Sequence, residues 1–401
     1  MSEIIARPLY MERIRPFIGK ELIKVFVGQR RVGKSCLMLH VQEYLRRQKR
    51  AVTIINVNKE LHEFDAIRTA ADLIDYAEKH AGRGRNALFV DEVQEIVEFE
   101  RALRSLNATG KFDLYCTGSN ANLLSRELST LLAGRCVEIQ VFALTYGEFL
   151  SFHNLDNADA SMRLYLKYGG LPYLRHFELC DEVVYDYLRN IYQTILYRDI
   201  VSRHQIRNCD LLERLVTFLG DNVGSLVSAH RISAFLKSQR LNTSPRVILE
   251  YLSHLTEACF VDRVPRYDIK GKRRFEVNDK YYFGDLGLRN AIVGYRPDDI
   301  NKLLENVVYH HLRAHGYTVT VGTLDGSEID FVAEKKGQFE YYQVAYLLSD
   351  ETVVAREFGN LAKIPDQYPK YVVTLDPLAG GDRGGIRHVH LRDFLSRPPP
   401  T

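Results

Sequence analysis

The chain has 401 residues, which is enough for two to four domains. Its composition, 46% hydrophobic and 26% charged, is ordinary for a water-soluble folded protein, and a net charge of +3 is too small to indicate a partner by itself. No apolar run approaches the roughly 18 residues of a membrane helix, and the charged N-terminal segment does not fit a secretory signal. Six scattered cysteines without a Cys-x-x-Cys pair argue against a zinc ribbon or a disulfide framework and favour a cytoplasmic protein.

The first 155 residues alternate short apolar runs with helical periodicity. Strands are predicted at 23–27, 51–57, 87–93, 112–119 and 136–141, and helices at 34–49 and 65–80. Strands that alternate with helices are typical of a parallel sheet in an α/β fold. We therefore predict an α/β core that extends to about residue 155.

A glycine-rich motif joins the first predicted strand to the first predicted helix. It matches the P-loop pattern G-x-x-x-x-G-K-[ST] and consists of Gly28, Gln29, Arg30, Arg31, Val32, Gly33, Lys34 and Ser35. Such a loop binds phosphate through backbone N–H groups and the helix N-terminus. We expect Lys34 to contact the β- and γ-phosphates of ATP and Ser35 to bind Mg²⁺. A plain glycine-rich turn, the alternative, has no need of Lys-Ser at this spacing.

Polar residues end two further predicted strands. Asp91 and Glu92 follow the apolar run 87–90, at the strand end where ligands bind in open α/β sheets. Asp91 is predicted to hold Mg²⁺ directly or through water, and Glu92 to polarise the attacking water as general base. Ser119 and Asn120 are candidates for sensing the γ-phosphate and orienting that water. Alternatively, they cap a helix that starts near residue 121.

Residues 156–225 are predicted to form a helical lid, because strand patterns stop there and apolar residues recur at helical spacing. Residues 226–290 show the order helix, turn, helix, hairpin, which is typical of a winged helix. Between Ser228 and Arg274 there are ten Lys or Arg residues against four Asp or Glu residues. Cations cluster at the predicted wing, namely Lys270, Lys272, Arg273 and Arg274. A basic wing suits DNA phosphates; a winged helix that binds only protein is the alternative.

Residues 291–401 return to an α/β pattern. Glu305 lies on a helix predicted at about 299–315, and Asp330 and Gln343 lie on strands predicted after it. This order resembles the restriction-endonuclease-like fold, with its pattern E…D…(E/Q)-x-K. The acidic groups and the lysine of that pattern hold Mg²⁺ and activate water.

Ala345 stands at the lysine position of the nuclease-like pattern. A methyl group can neither donate a hydrogen bond nor stabilise developing charge. We therefore expect the scaffold of a nuclease without DNA cleavage. A lysine supplied by another element, such as Lys335 or Lys336, is the alternative.

Six segments carry a family resemblance: GQRRVGKS, LFVDEVQEI, YCTGSNANLLS, LLAGRCVEIQVFALTYGEFL, YGGLPYL and ILYRDI. Together they resemble the AAA+-type ATPases of archaea and bacteria that carry a C-terminal domain of unknown function. In AAA+ proteins generally, an arginine before the fifth core strand reaches the nucleotide of a neighbouring subunit. The resemblance gives this role, neutralisation of transition-state charge, to Arg135, with Arg126 as the second candidate. A solvated arginine at a helix end is the alternative.

These observations predict a multidomain α/β protein. Its expected parts are a P-loop AAA+-type core (1–155), a helical lid (156–225), a winged helix (226–290) and a restriction-endonuclease-like α/β domain (291–401). The expected activity is Mg²⁺-dependent ATP hydrolysis by a switch protein that acts on DNA, with ATP and ADP as ligands and no membrane partner. An ATP-dependent regulator of another protein and an ATP-gated nuclease are the alternatives, and an oligomer is compatible with the sequence.

Overall fold

The structure, a computed structural model, describes residues 5–48, 52–119, 132, 134–274 and 278–396. The chain divides into two compact units. The first unit comprises Met1–Val141 with Glu257–Cys259, and the second comprises Phe142–Thr256 with Phe260–Thr401. The finer division into four domains stays a prediction.

The first unit is built on a five-stranded parallel sheet. Its strands are β1 (Ile23–Val27), β2 (Val52–Asn58), β3 (Arg85–Asp91), β4 (Phe112–Gly118) and β5 (Cys136–Gln140). Their order is β2-β3-β4-β1-β5, and every neighbouring pair is parallel. The central strands β1, β3 and β4 are almost wholly buried, as is usual for a parallel sheet covered on both faces. The predicted parallel α/β core is therefore confirmed.

Helices of the first unit, within the described residues, are α1 (Pro8–Ile14), α2 (Lys34–Arg46), α3 (Ala70–Lys79) and α4 (Phe99–Ala108). The helix predicted from residue 65 begins only at Ala70, because Thr69 forms a capping box with Asp72. The strand predicted to end at residue 93 ends at Asp91, because Glu92 adopts a left-handed backbone with φ of 53°. Asp91 and Glu92 thus lie at the carboxyl edge of the sheet.

Helices also form most of the first half of the second unit and recur later in it. They are α5 (Tyr146–His153), α6 (Asp159–Tyr168), α7 (Asp181–Thr194), a π-helix (Ile195–Ser202), α8 (Cys209–Asp221), α9 (Ala229–Ser238), α10 (Pro245–Glu257), α11 (Leu286–Val293), α12 (Ile300–Ala314), α13 (Glu351–Ala362) and α14 (Leu391–Ser396). None of the helices within the described residues has the length and apolar character needed to cross a membrane.

The Gly-Gly turn after α6 packs tightly against the start of α11. The Gly170 N–H donates to the Asp285 carboxylate at 2.6 Å, and Asp285 also caps α11 by accepting from the Leu288 N–H at 3.1 Å. A Cβ atom at Gly169 would lie 2.4 Å from the Asp285 carboxylate. Gly169 is therefore required by the close approach of Asp285, and Gly170 by that of Leu144, whose carbonyl oxygen would lie 2.4 Å from a Cβ atom there.

The second unit contains a mixed sheet of eight strands and a separate antiparallel pair. The strands are β6 (Val261–Val264), β7 (Arg266–Asp268), β8 (Arg273–Arg274), β9 (Lys280–Phe283), β10 (Thr318–Leu324), β11 (Ser327–Lys335), β12 (Gln338–Ala345), β13 (Lys370–Thr374), β14 (Asp382–Arg383) and β15 (Ile386–His390). The larger sheet has the order β14-β15-β13-β12-β11-β10-β7-β8, and β6 pairs with β9. The C-terminal α/β pattern predicted from the sequence thus corresponds to a real sheet.

The hairpin predicted around residues 269–272 belongs to the larger sheet. Strands β7 and β8 pair antiparallel on either side of that turn, and β7 also pairs in parallel with β10. Pro265 separates β6 from β7, since proline cannot donate to a strand ladder. The basic hairpin is therefore an edge of the eight-stranded sheet.

Candidate functional site

The P-loop motif lies between β1 and α2, at the carboxyl edge of the parallel sheet. Gly28 has no room for a side chain, because a Cβ atom there would lie 2.0 Å from the carbonyl oxygen of Val141. Arg31 and Gly33 have φ values of 75° and 94°, so the loop passes twice through the left-handed region before the helix begins. The guanidinium group of Arg7 donates a hydrogen bond to the carbonyl oxygen of Val32 at 3.0 Å. The loop thus has the sharp, fixed path that phosphate binding requires.

Lys34 begins α2, and its ammonium group lies against its own loop. The Nζ atom donates to the carbonyl oxygens of Gly28 at 2.9 Å and of Gln29 at 3.0 Å. Burial lowers the pKa of Lys34, while the charges of Glu92 and Asp91 oppose that shift. Because the ammonium is held by neutral carbonyl groups, its charge remains available to an anionic ligand in the loop.

Asp91 ends β3 beside the loop. Its carboxylate accepts hydrogen bonds from the hydroxyl groups of Thr117 and Ser35. Burial raises the pKa of Asp91, and the two hydroxyl groups oppose the shift. A hydroxyl and a carboxylate in direct contact at a P-loop fit the oxygen ligands that Mg²⁺ prefers, so Ser35 and Asp91 are the residues that would hold this ion.

Glu92 follows in a strained backbone position that fixes its direction. Its N–H donates to the Thr117 hydroxyl at 2.9 Å, and its carboxylate accepts from Ser119 at 3.2 Å and from the Gln94 amide. Burial alone would raise the pKa of Glu92, but the Lys34 charge, together with these hydrogen bonds and the charge of Arg30, holds it below its usual range. The structure thus supplies an oriented, ionised carboxylate, which is what a general base requires.

The structure brings most of the predicted site residues together at one edge of the sheet. The eight loop residues, Asp91, Glu92 and Ser119 all lie there. Asn120 and the second arginine candidate, Arg126, lie outside the described residues. Arg135 is exposed and precedes β5, where its carbonyl oxygen accepts from the Ile23 N–H at 2.8 Å. It lies at the amino ends of the strands, about 13 Å along β1 from the P-loop of its own chain.

The sequence reasoning overlooked Thr117 as part of the site. Thr117 is fully buried, and its hydroxyl links the Asp91 carboxylate to the Glu92 backbone. The register pairs Val90 with Cys116, which places Thr117 beside Asp91 on the neighbouring strand. Thr117 follows the paired residue Cys116 by one position. Once the strand order is known, a polar residue at that position indicates a side chain beside Asp91.

Gln29 is the second residue whose role was not expected from the motif. Its side chain is buried, and within the described residues neither its amide oxygen nor its amide nitrogen has a hydrogen-bond partner. A buried amide without partners costs free energy, which a polar ligand atom can recover. Gln29 is therefore a polar group in the loop that a bound phosphate or its water shell would satisfy.

Comparisons with known proteins agree with this geometry. Residues 20–150 match a family described as an AAA domain, and residues 159–299 match a family described as a domain of unknown function (DUF8612). An uncharacterized protein of Haemophilus influenzae is 34% identical over 400 residues, which cover 98% of each chain. An uncharacterized protein of Methanocaldococcus jannaschii is 28% identical over 348 residues, which cover 82% of this chain and 75% of that protein.

Among solved structures, the Walker-type ATPase of Pyrococcus abyssi is similar with a TM-score of 0.46 and 15% identity, over 71% of this chain and 93% of that chain. The match with the Haemophilus influenzae protein extends over nearly the whole of both chains. This match is the basis of the family assignment. The chain belongs to the same family as that protein, and it carries an AAA-type P-loop domain.

Proposed function

We propose that the protein binds Mg²⁺·ATP and hydrolyses it. The observation that carries this proposal is the meeting of a P-loop lysine and hydroxyl, Lys34 and Ser35, with two buried carboxylates, Asp91 and Glu92, at one sheet edge. The AAA domain match over residues 20–150 supports it independently.

Each residue has a defined task in this proposal. Lys34 contacts the β- and γ-phosphates with the ammonium charge that its neighbours leave unpaired. Ser35 and Asp91 hold Mg²⁺, which neutralises phosphate charge when bound. Glu92 accepts a proton from the attacking water, and Ser119, which contacts Glu92, orients that water. The lowered pKa of Glu92 keeps its carboxylate ionised at neutral pH, the form in which it can act as a base.

A role for Arg135 in a neighbouring chain is part of the same proposal. Its place at the far edge of the sheet does not suit contact with the nucleotide of its own chain. An exposed arginine before β5 suits contact with the nucleotide of a second copy, where it would neutralise transition-state charge. Turnover per chain that rises with protein concentration, and does not rise in Arg135→Ala, tests this role.

We further propose that ATP turnover is coupled to DNA binding through the β7–β8 hairpin. Lys272 and Arg274 are exposed on it. Lys270 and Arg273 form ion pairs with Asp325 at 3.2 Å and with Asp268 at 3.6 Å, but both cations are exposed to solvent. Exposed ion pairs contribute little free energy, so phosphate groups can compete for these cations.

The test is a turnover and DNA-binding assay on wild-type protein and on a variant with alanine at the four hairpin positions Lys270, Lys272, Arg273 and Arg274. We expect duplex DNA to change the turnover of the wild type. The variant should bind all sequences more weakly and lose most of its salt dependence, because each phosphate contact releases counterions.

A matched control removes four exposed cations of the first unit, Arg46, Arg47, Arg101 and Arg104. This control should retain DNA affinity. DNA binding that ignores the hairpin variant, or turnover that ignores DNA while responding to another protein, would favour the protein-binding regulator instead.

A further inference from the structure

A second cluster of carboxylates around a lysine lies in the second unit. Lys280, the first residue of β9, has its Nζ atom 3.0 Å from Glu305, 2.8 Å from Glu328 and 4.0 Å from Asp330. Glu305 lies on α12, and Glu328 and Asp330 lie on β11. The lysine side chain is only 2% exposed. Three elements therefore meet around one buried ammonium group.

The cluster contains the acidic residues that the sequence related to a nuclease metal site. Lys335 and Lys336 were the alternative sources of the missing lysine, but the ion pairs with these acids come from Lys280. Lys335 lies over the ring of Tyr317 at 5.0 Å, and Lys336 occupies the left-handed turn after β11. The cation comes instead from β9, which precedes all three carboxylates in the sequence.

Asp330 and Gln343, two residues of the nuclease-like pattern, make hydrogen bonds within the protein. One oxygen of Asp330 accepts from the Val344 N–H at 2.8 Å, and the amide oxygen of Gln343 accepts from the Asp330 N–H at 2.8 Å. The amide nitrogen of Gln343 donates to Glu357 at 2.8 Å. These bonds fix the orientation of Asp330, whose other oxygen faces Lys280.

One oxygen of Glu305 is likewise held by Lys280. Its Oε2 atom accepts from the Tyr282 hydroxyl at 3.0 Å as well as from Lys280. A Cβ atom at Gly224 would lie 2.9 Å from the same oxygen, so the main chain itself packs against this carboxylate.

We propose that Lys280 takes the place of the divalent cation in this cluster, so that the nuclease-like domain is a metal-independent scaffold. The ammonium donates hydrogen bonds to carboxylates of α12 and β11, and these bonds link β9 to both elements. A lysine that acts in cleavage must face the water and the phosphate, whereas Lys280 is enclosed.

The test measures Mn²⁺ binding by the full chain without nucleotide, with every protein carrying Asp91→Asn so that the P-loop site lacks the carboxylate proposed to hold the ion. Protein with Lys280 intact should bind no Mn²⁺ that depends on Asp330. Lys280→Met removes one positive charge beside three carboxylates, and it should gain one Mn²⁺ per chain with affinity raised at least about tenfold. Adding Asp330→Asn should abolish that gain, and the control Lys363→Met, which removes an exposed cation from the same unit, should show none.

Two results would overturn the proposal. One is Mn²⁺ binding, or cleavage of supercoiled DNA in Mn²⁺, by protein with Lys280 intact that Asp330→Asn removes. The other is a folded Lys280→Met protein that gains no Mn²⁺ site. If Lys280→Met does not fold, the comparison of Lys280-intact protein with and without Asp330→Asn decides the question alone.

Discussion

The two units each place a buried lysine among carboxylates, but the two lysines contact different partners. Lys34 donates to main-chain carbonyl oxygens of its own loop, and Asp91 is bonded to hydroxyl groups instead of to the lysine. Lys280 donates directly to Glu305 and Glu328. These different partners show that residue type alone does not identify a metal site. What matters is whether the lysine charge is already neutralised and whether the carboxylate oxygens remain available.

The electrostatic consequence is that the two clusters favour different ligands. At the P-loop, burial lowers the pKa of Lys34 although Glu92 and Asp91 oppose the shift, which means that these carboxylates compensate the charge only in part. An anion such as a phosphate supplies the remaining compensation. Around Lys280 the carboxylates supply it within the protein, so the cluster requires neither an anion nor a second cation.

The largest expected difference between the two lysines concerns the stability of the nucleotide-free protein. Lys280→Met leaves its carboxylates without their cation and should lower the free energy of unfolding by about 3 kcal/mol, the lower end of the range for a buried pair, because Glu305 and Glu328 remain partly exposed. Lys34→Met removes a buried charge that makes no direct ion pair but stabilises the ionised Glu92, so it should lower this free energy by less. Calorimetric unfolding of both variants, beside Lys363→Met as an exposed control, measures the difference. Equal destabilisation by both lysine substitutions would break the comparison.

The next effect concerns the carboxylates of the P-loop. Glu92→Gln keeps the shape of the side chain but removes the base, so ATP binding should persist while turnover falls by about 10²-fold or more. Glu95→Gln, an exposed neighbour of the same type, is the matched control and should keep its turnover. Phosphate release and nucleotide affinity measured on both variants test the role. Wild-type turnover in Glu92→Gln would remove Glu92 as the base.

The smallest effect concerns the hydroxyl that holds the two P-loop carboxylates in place. Thr117→Val removes the hydrogen bonds to Asp91 and to the Glu92 backbone, so turnover should fall by about tenfold. Adding excess Mg²⁺ should restore part of it, since a positioning residue acts through Asp91. Thr320→Val, a buried strand threonine of the second unit, is the control and should leave turnover unchanged. A Thr117→Val enzyme with normal turnover and normal Mg²⁺ dependence would contradict the positioning role.

Local patterns in the sequence were sufficient to predict the P-loop core. Apolar runs and the order of the motifs locate β1, α2 and β3, because strand, loop and helix there are set by neighbouring residues. The parallel sheet follows from the alternation of elements. The left-handed backbone of Glu92 was not predictable, since a non-glycine residue adopts it only when the surrounding structure compensates.

Contacts between distant segments account for what the sequence did not reveal. Lys280 precedes Glu305 by 25 residues and Asp330 by more, and nothing in its local sequence links it to either. The glycines of the Gly169-Gly170 turn were visible as a motif, but their causes are the approach of Asp285 to Gly169 and of Leu144 to Gly170. Such pairings depend on the order of strands and helices in space, which one sequence does not specify.

The most direct test of the account counts the Mn²⁺ ions bound per chain in the presence of a non-hydrolysable ATP analogue. We expect one ion that is lost in Asp91→Asn and no ion that is lost in Asp330→Asn, because the P-loop cluster leaves its ligands open whereas Lys280 occupies the second cluster. An ion that Asp330→Asn removes, or an ion count that Asp91→Asn leaves unchanged, would contradict this expectation.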